Sequence, residues 1–555
     1  MNKLLNVNWK LENPATNREI EGFASKTSIN KGESINLYIN TNSEFLSLSI
    51  FRMGWHEGKG ALQINNSITL KGNQQSIPLP NEDTGLITCA WDNPFELKTD
   101  SNWTTGVYLA KLEEQEYKKQ SYIIFVVRDD EAVADILFQL PVTTYQAYNY
   151  WGGKCLYNHG SGSLEDWGAV SGEKAKKVSF DRPYAKSNNP KAAYGMGAGD
   201  FLTNTRPVTS HNYPISSAGW DYNMVRWLEK NDYNVKYCTN IDIHINPKIY
   251  SKIKIFLSNG HDEYWSHEMR KNLTNARDTG TNLAFFSSNT MYWQIRLEEN
   301  QLTEQKDRVI VCYKEKQLDP IQSERSTINF EDIPEQGSQA KLIGIQYYAD
   351  PVLGHIRITN PEHWIFKNSG VKKGTKLKGL LGYEIDGISK DSPDNITILA
   401  STKCRKVNSG SKFIINHMIG KITNPIIKFS NRFLNSNKEI TNIHRILMIS
   451  IIAAIASIIG LTISKIIPLI GFITAIMLFL IWFLKLKMTP RYESNMTIYN
   501  SKCGSKIFAT GSMQWCWGLD NYNVPQLRDD HISISAEIIT KNLLKGFGAT
   551  QKNIS

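Results

Sequence analysis

At 555 residues the chain exceeds what one hydrophobic core can organise, and ordinary domain sizes point to about three or four units. A hydrophobic content of 41%, with 14 Trp, 24 Tyr and 21 Phe, excludes a disordered chain, and seven scattered cysteines without a CxxC pair exclude a disulfide framework or a zinc module. The net charge of +10 would suit nucleic acid if it were spread evenly, but residues 403–491 carry thirteen Lys and Arg against one acid, Glu439, and the remainder is slightly acidic; the excess is read as attraction to anionic membrane lipid, with no nucleic-acid partner.

Residues 1–130 carry no long amphipathic pattern. Short alternating runs recur instead, SINLYIN from Ser34, FLSLSIF from Phe45, GVYLAKL from Gly106 and YIIFVV from Tyr122, between Gly, Asn and Asp turns. Their spacing predicts an N-terminal β-sandwich. The opening residues, MNKLLNVNWKLENP, hold no apolar stretch long enough for a signal peptide, in keeping with synthesis and folding in the cytosol.

From residue 131 the pattern changes. ILFQL from Ile136 predicts a buried strand, 143–218 a long Tyr- and Gly-rich loop, 220–230 a helix and 234–238 a strand. Residues 253–257 and 282–286 read as two more buried strands, closed by Ser258-Asn259-Gly260 and Ser287-Ser288-Asn289, with a helix over 266–279 between them. This βαβ unit predicts a doubly wound, mostly parallel α/β core over 131–403, completed by 492–555. Ligands in such sheets bind beyond the carboxyl ends of the strands, where His261, Asp262, Glu263, Tyr264 and Asn289 stand. The glycines of 195–199 follow no strand and open no helix, which predicts a flexible loop and no phosphate cradle.

Residues 404–491 read as an insertion. Within it, 446–484 hold one charge, Lys465, and the apolar stretch on either side is long enough to cross a bilayer core of roughly 30 Å at about 1.5 Å per residue. Lys465 and Pro468 break the run, predicting a transmembrane helical hairpin, 446–464 out and 467–484 back. Basic flanks at Arg445, Lys485, Lys487 and Arg491 then place the globular parts at the cytoplasmic face of the cytoplasmic membrane.

Ordered motifs, FRMGW (51–55), FVVRDD (125–130), TTYQAYNYWGG (143–153), FDRPY (180–184), SNGHDEYWS (258–266), FFSSNTMYWQIRLE (285–298), HWIF (363–366), GLLGYEIDGI (379–388) and GSMQWCWGLD (511–520), resemble the large subunit of bacterial N,N-dimethylformamidase and its relatives. The resemblance covers most of the chain except about 405–490. It implies a β-sandwich followed by a core similar to the class I glutamine amidotransferase fold. It also implies a mononuclear ferric iron (Fe3+) held by two tyrosines and one glutamate, activating water for amide hydrolysis. Carried over by motif, the glutamate falls on Glu263 and the tyrosines on Tyr148 and Tyr184, with His261, Asn289 and Glu384 as catalytic groups around the metal. Phenolate and carboxylate are hard oxygen donors suited to ferric iron.

Taken alone, each residue has a plainer reading. Glu263 could cap the helix that begins near Trp265, His261 could be a buried histidine bonded to backbone, and Tyr148 and Tyr184 could be loop packing. Two functions follow: a membrane-anchored, iron-dependent hydrolase of small N-substituted amides, or a non-catalytic module of the same fold that binds a glycan or lipid-linked ligand. A serine or cysteine hydrolase is disfavoured, because Ser287-Ser288-Asn289 after Phe286 is not a nucleophile elbow. The expected partners are a small-molecule amide, membrane lipid, a small partner subunit and further copies of the chain.

Overall fold

The computed structural model describes residues 8–158, 172–185, 190–204, 218–406, 491–525 and 527–552. The chain divides into two compact units, Met1–Cys404 with Glu493–Ser555, and Arg405–Tyr492. Almost all of the second unit lies outside the described residues.

The alternating N-terminal runs form nine strands, β1 (Ile20–Ala24), β2 (Ser28–Asn30), β3 (Ser34–Thr41), β4 (Phe45–Met53), β5 (Ala61–Gln63), β6 (Ile68–Lys71), β7 (Phe95–Lys98), β8 (Gly106–Glu114) and β9 (Gln120–Arg128). One sheet runs β1-β3-β7; the other runs β2-β9-β8-β4-β5, with β6 pairing β4. In β3, Ile35, Leu37 and Ile39 point inward, as period-two patterning requires. Strand β9 is buried almost throughout, so its apolar run is continuous rather than alternating.

The remaining strands are β10 (Ile136–Leu140), β11 (Lys177–Ser179), β12 (Val235–Thr239), β13 (Ile255–His261), β14 (Tyr264–Ser266), β15 (Asn282–Ser288), β16 (Trp293–Asn300), β17 (Gln305–Val311), β18 (Gln346–Arg357), β19 (Lys376–Gly387), β20 (Thr397–Cys404), β21 (Tyr492–Asn500) and β22 (Lys506–Ala509). The helices are α1 (Val142–Tyr148), α2 (Asp221–Lys230), α3 (Asn240–Ile245), α4 (His267–Asp278), α5 (Ala340–Ile343) and α6 (Ile534–Gly546). The largest sheet has the order β12-β10-β13-β15-β22-β21-β20. Its first five strands are parallel, whereas β21 is antiparallel to β22. Phe256, Leu283, Phe285 and Ile507 of this sheet pack with Met269 and Leu273 of α4 in a fully buried cluster. Each such side chain contributes about 1.5 to 3 kcal/mol of transfer free energy.

The expected doubly wound α/β core is corrected by this topology. The sheets are mixed and the helices few and mostly short, six α-helices among the described residues. The physical reason lies in the connections. A helix links β13 to β15, but the path from β15 to β22 runs through the antiparallel pair β16–β17 and the hairpin β18–β19, so helices do not alternate with strands along the sheet. The expected membrane hairpin over 446–484 lies outside the described residues, and among the described residues no helix is long and apolar enough to cross a membrane. The multi-pass placement at the cytoplasmic membrane is therefore withdrawn, because no described helix carries it.

Candidate functional site

The site begins where β13 ends. Gly260 adopts φ +62°, and a Cβ there would fall 2.5 Å from Cβ of Trp220, so glycine is required both for the turn and for the close approach of α2's flank. His261 closes the strand opposite Ser288 of β15, and Asp262 follows, buried and held by Gln139 (2.5 Å), Ser258 (2.9 Å) and Asn240 (3.1 Å). Burial pushes the Asp262 carboxyl up to about 6 in spite of those hydrogen bonds, which pull it down. This anchoring leaves Glu263 free to turn toward α1. Thr144 Oγ1 accepts from the Glu263 amide at 2.9 Å, and Thr143 Oγ1 donates to the Tyr264 carbonyl at 2.7 Å, stitching the helix that ends in Tyr148 to the strand-end loop.

After Tyr148 the chain is clamped by a buried cation. The Arg182 guanidinium donates to the carbonyls of Asn149 (2.8 Å), Trp151 (3.0 Å) and Lys154 (2.8 Å), and Asn149 Nδ2 donates to Pro183 O at 2.9 Å. That turn delivers Tyr157 to the same carboxylate as Tyr148. Tyr148 donates to Glu263 Oε2 at 2.7 Å and Tyr157 to Glu263 Oε1 at 2.8 Å, with the two phenol oxygens 2.9 Å apart; Tyr264 donates to the Tyr157 oxygen at 2.6 Å.

His261 stands on the other side of Glu263. Its Nε2 lies 3.3 Å from Glu263 Oε2 and 3.2 Å from Glu384 Oε2, and it is 3% exposed, yet neither ring nitrogen makes a well-formed hydrogen bond among the described residues. Asn289 is in the left-handed region at φ +53°, its amide donating to Asp386 Oδ1 at 2.9 Å, and its buried Oδ1 has no hydrogen-bond partner among the described residues. Ser288 Oγ donates to the same Asp386 oxygen at 2.6 Å. These groups open onto a cavity with an empty volume of about 670 Å³, lined by Tyr148, Tyr157, Glu263, Asn289 and Glu384, with Tyr292, Tyr347 and Asp350 among its other walls.

The electrostatics are those of an acidic site with buried ionisable groups. Burial holds the Tyr157 and Tyr264 hydroxyls far above the usual phenol range, and the Glu263 charge adds to it. Burial raises the Asp386 carboxyl to about 7, against the pull of its bonds from Ser288 and Asn289. Lys314, in a left-handed conformation at φ +64°, sets its ammonium 3.4 Å from the Tyr157 ring centroid; burial lowers its pKa to about 8.

Of the residues expected from the motifs, Tyr148, His261, Glu263, Asn289 and Glu384 are brought together and Tyr184 is not. Tyr184 is half-buried and packs edge-on against Tyr145, ring centroids 6.5 Å apart, and lines smaller cavities beside the sandwich strands. FDRPY serves the site through Arg182. Tyr157, Asp386 and Lys314 were not singled out in the sequence; Tyr157 lies in an aperiodic loop and carried no signal beyond being a tyrosine nine residues after Tyr148.

Among the described residues no group of three or more His, Cys, Asp or Glu is arranged to hold a metal ion. The donor set at Glu263 is of another kind: two phenol oxygens and a carboxylate converging within hydrogen-bond distance, all hard oxygen ligands, beside an imidazole with unfilled hydrogen-bonding capacity. Burial disfavours the phenolates unless a cation sits among them, so the cluster suits a highly charged, hard ion.

A family model described as N,N-dimethylformamidase beta subunit-like, C-terminal, matches residues 47–528, a span that includes every residue of this cluster. No curated protein matches the chain.

Proposed function

Since the chain belongs to the N,N-dimethylformamidase beta subunit-like family, we propose that it hydrolyses the C–N bond of an amide at the Glu263 cavity. The observation that carries this reading is the meeting of Tyr148 and Tyr157 on the two oxygens of Glu263 at the wall of the cavity. These three residues would hold ferric iron, Tyr157 taking the place expected for Tyr184. When bound there, the ion supplies Lewis acidity toward a carbonyl or a water molecule.

The chain's own groups supply the rest. His261 Nε2, between the carboxylates of Glu263 and Glu384, can accept a proton from water and pass it toward the departing nitrogen, with Glu384 stabilising the imidazolium. Asn289, held by its backbone bond to Asp386, can present its side-chain amide to the substrate, fixing the line of attack. The family's description as a beta subunit supports a companion subunit, and such a protein would act by completing the site or its entrance.

The test is metal analysis and a visible spectrum of the purified chain, followed by amine release from a panel of N-substituted amides. Colourless protein with no iron, or a fully loaded protein that cleaves nothing with or without companion subunits, would sink the reading in favour of a ligand-binding module.

A further inference from the structure

The remaining walls of the cavity have a chemistry that amide hydrolysis by itself does not require. Tyr292 and Tyr347 meet edge to face, ring centroids 5.4 Å apart at 74°, and Tyr292 meets Trp293 at 5.0 Å and 87°. Partly exposed Tyr292 and Tyr347 thus form an aromatic corner open to the cavity. Asp350, three residues beyond Tyr347, also lines it and accepts a hydrogen bond from the Tyr347 hydroxyl. Among the described residues Asp350 has no ion-pair partner, and neither Lys nor Arg lines the cavity. Lys314 lies close by, but its ammonium is already set against the rings of Tyr157 and, at 4.9 Å, Trp293.

The charges sharpen the point. A trivalent ion at Glu263 would be matched by that carboxylate and two phenolates, and Glu384 faces His261. Asp350 is left over. Burial first, and then the charges of Glu384 and Asp350, push the Tyr347 hydroxyl far above the usual phenol range. Aromatic faces beside an unmatched carboxylate are the means by which proteins hold alkylated ammonium groups, since the ring quadrupole and the carboxylate both attract a cation while the ring surface covers its methyl groups. The unpartnered Oδ1 of buried Asn289, on the same cavity wall, marks where the polar part of such a ligand would lie.

We propose that the cavity selects amides that carry a permanent positive charge, with an alkylammonium group seated against Tyr292 and Tyr347 and facing Asp350 while the amide lies at Glu263 and Asn289. The proposal rests on the hydrolase reading for its reaction and on Asp350 and the two tyrosines for its selectivity. Water adds across the C–N bond, the acyl carbon gaining the oxygen and the nitrogen the proton, so the products are a carboxylic acid and an amine, one of which keeps the ammonium charge.

The experiment compares two probes of the same shape, N-[2-(trimethylammonio)ethyl]acetamide and its uncharged counterpart N-(3,3-dimethylbutyl)acetamide, on the purified full-length chain by titration calorimetry and by amine release. The charged probe is expected to bind at least tenfold more tightly and to show at least tenfold higher kcat/KM, mainly through KM. Asp350→Asn is expected to shrink that preference to less than threefold and Asp350→Glu to restore part of it, with Tyr347→Leu weakening the charged probe more than the neutral one. Equal binding of the two probes, or a preference that survives in Asp350→Asn, would overturn the proposal even if both are hydrolysed. Tight, Asp350-dependent binding of the charged probe without cleavage of either would support the cation site and overturn the hydrolase reading instead.

Discussion

Tyr157 and Glu263 are 106 residues apart in the chain and 2.8 Å apart in space, joined by a hydrogen bond from the phenol to Oε1 of the carboxylate. Tyr148 holds the other oxygen, so one carboxylate gathers two phenols from either side of a tight turn. This contact brings Tyr148 and Tyr157, and not Tyr184, to the carboxylate.

Tyrosinate bound to ferric iron gives a visible charge-transfer band, and with iron held as proposed that band would come from Tyr148 and Tyr157. Tyr157→Phe should shift or bleach it and Glu263→Ala should lose the metal, whereas Tyr184→Phe should leave spectrum and iron content as in the wild type. The measurement is absorption with metal analysis on the same samples; a bleached Tyr184→Phe beside a coloured Tyr157→Phe would reverse the assignment.

His261 and Asn289 are close to the carboxylate cluster without belonging to its three converging side chains. His261→Ala and Asn289→Ala should therefore keep iron while slowing amide hydrolysis by about 10- to 100-fold, the usual range for groups around a metal. Loss of iron in step with loss of rate would show that these residues hold the metal instead.

Arg182 is a buried cation that satisfies three backbone carbonyls on the turn between the two phenols. Arg182→Met leaves those carbonyls unpaired, at a cost of about 1 to 3 kcal/mol for each group that water cannot reach. We expect a loss of about 3 kcal/mol or more by urea unfolding, with Arg182→Lys falling between variant and wild type. A change below about 0.5 kcal/mol would mean that the clamp is dispensable.

Asp221, fully buried beside Tyr145 and Asn259, has its carboxyl raised to about 7 by burial, though both hydrogen bonds pull it down. An unfolded aspartate titrates near 3.9, so between about pH 4 and pH 7 the folded chain retains a proton that the unfolded chain releases. Stability from this group is thus present below pH 4 and declines as pH rises to about 7, by up to about 1.4 kcal/mol per pH unit. Asp221→Asn cannot ionise and should show a smaller fall in urea midpoint from pH 5 to pH 8 than the wild type; equal falls would assign the dependence to other groups.

Gly260→Ala should be costly for two reasons, the positive φ and the 2.5 Å approach to Trp220. A loss of about 2 kcal/mol or more is expected in thermal or urea unfolding, with slower turnover because His261 follows directly.

The sequence by itself determined the local half of this protein. Alternation places Ile35, Leu37 and Ile39 on the inner face of β3, and apolar runs ending in polar turns bring His261, Glu263 and Asn289 to neighbouring strand ends, because side-chain period and strand termination are properties of a few adjacent residues. The motifs carried the family, and most of the residues they pointed to meet around Glu263. Only the tertiary structure decided that Tyr157 rather than Tyr184 reaches Glu263, since that depends on the Arg182 clamp onto the carbonyl of Lys154, 28 residues earlier in the chain. It also decided that the main sheet is mixed, because β21 runs antiparallel to β22 at the edge of five parallel strands, and it decided that the β18–β19 hairpin brings Glu384 and Asp350 to the cavity, both by joining segments far apart in the chain. Such contacts are selected by the shape and charge of the partner surface, which no local pattern records.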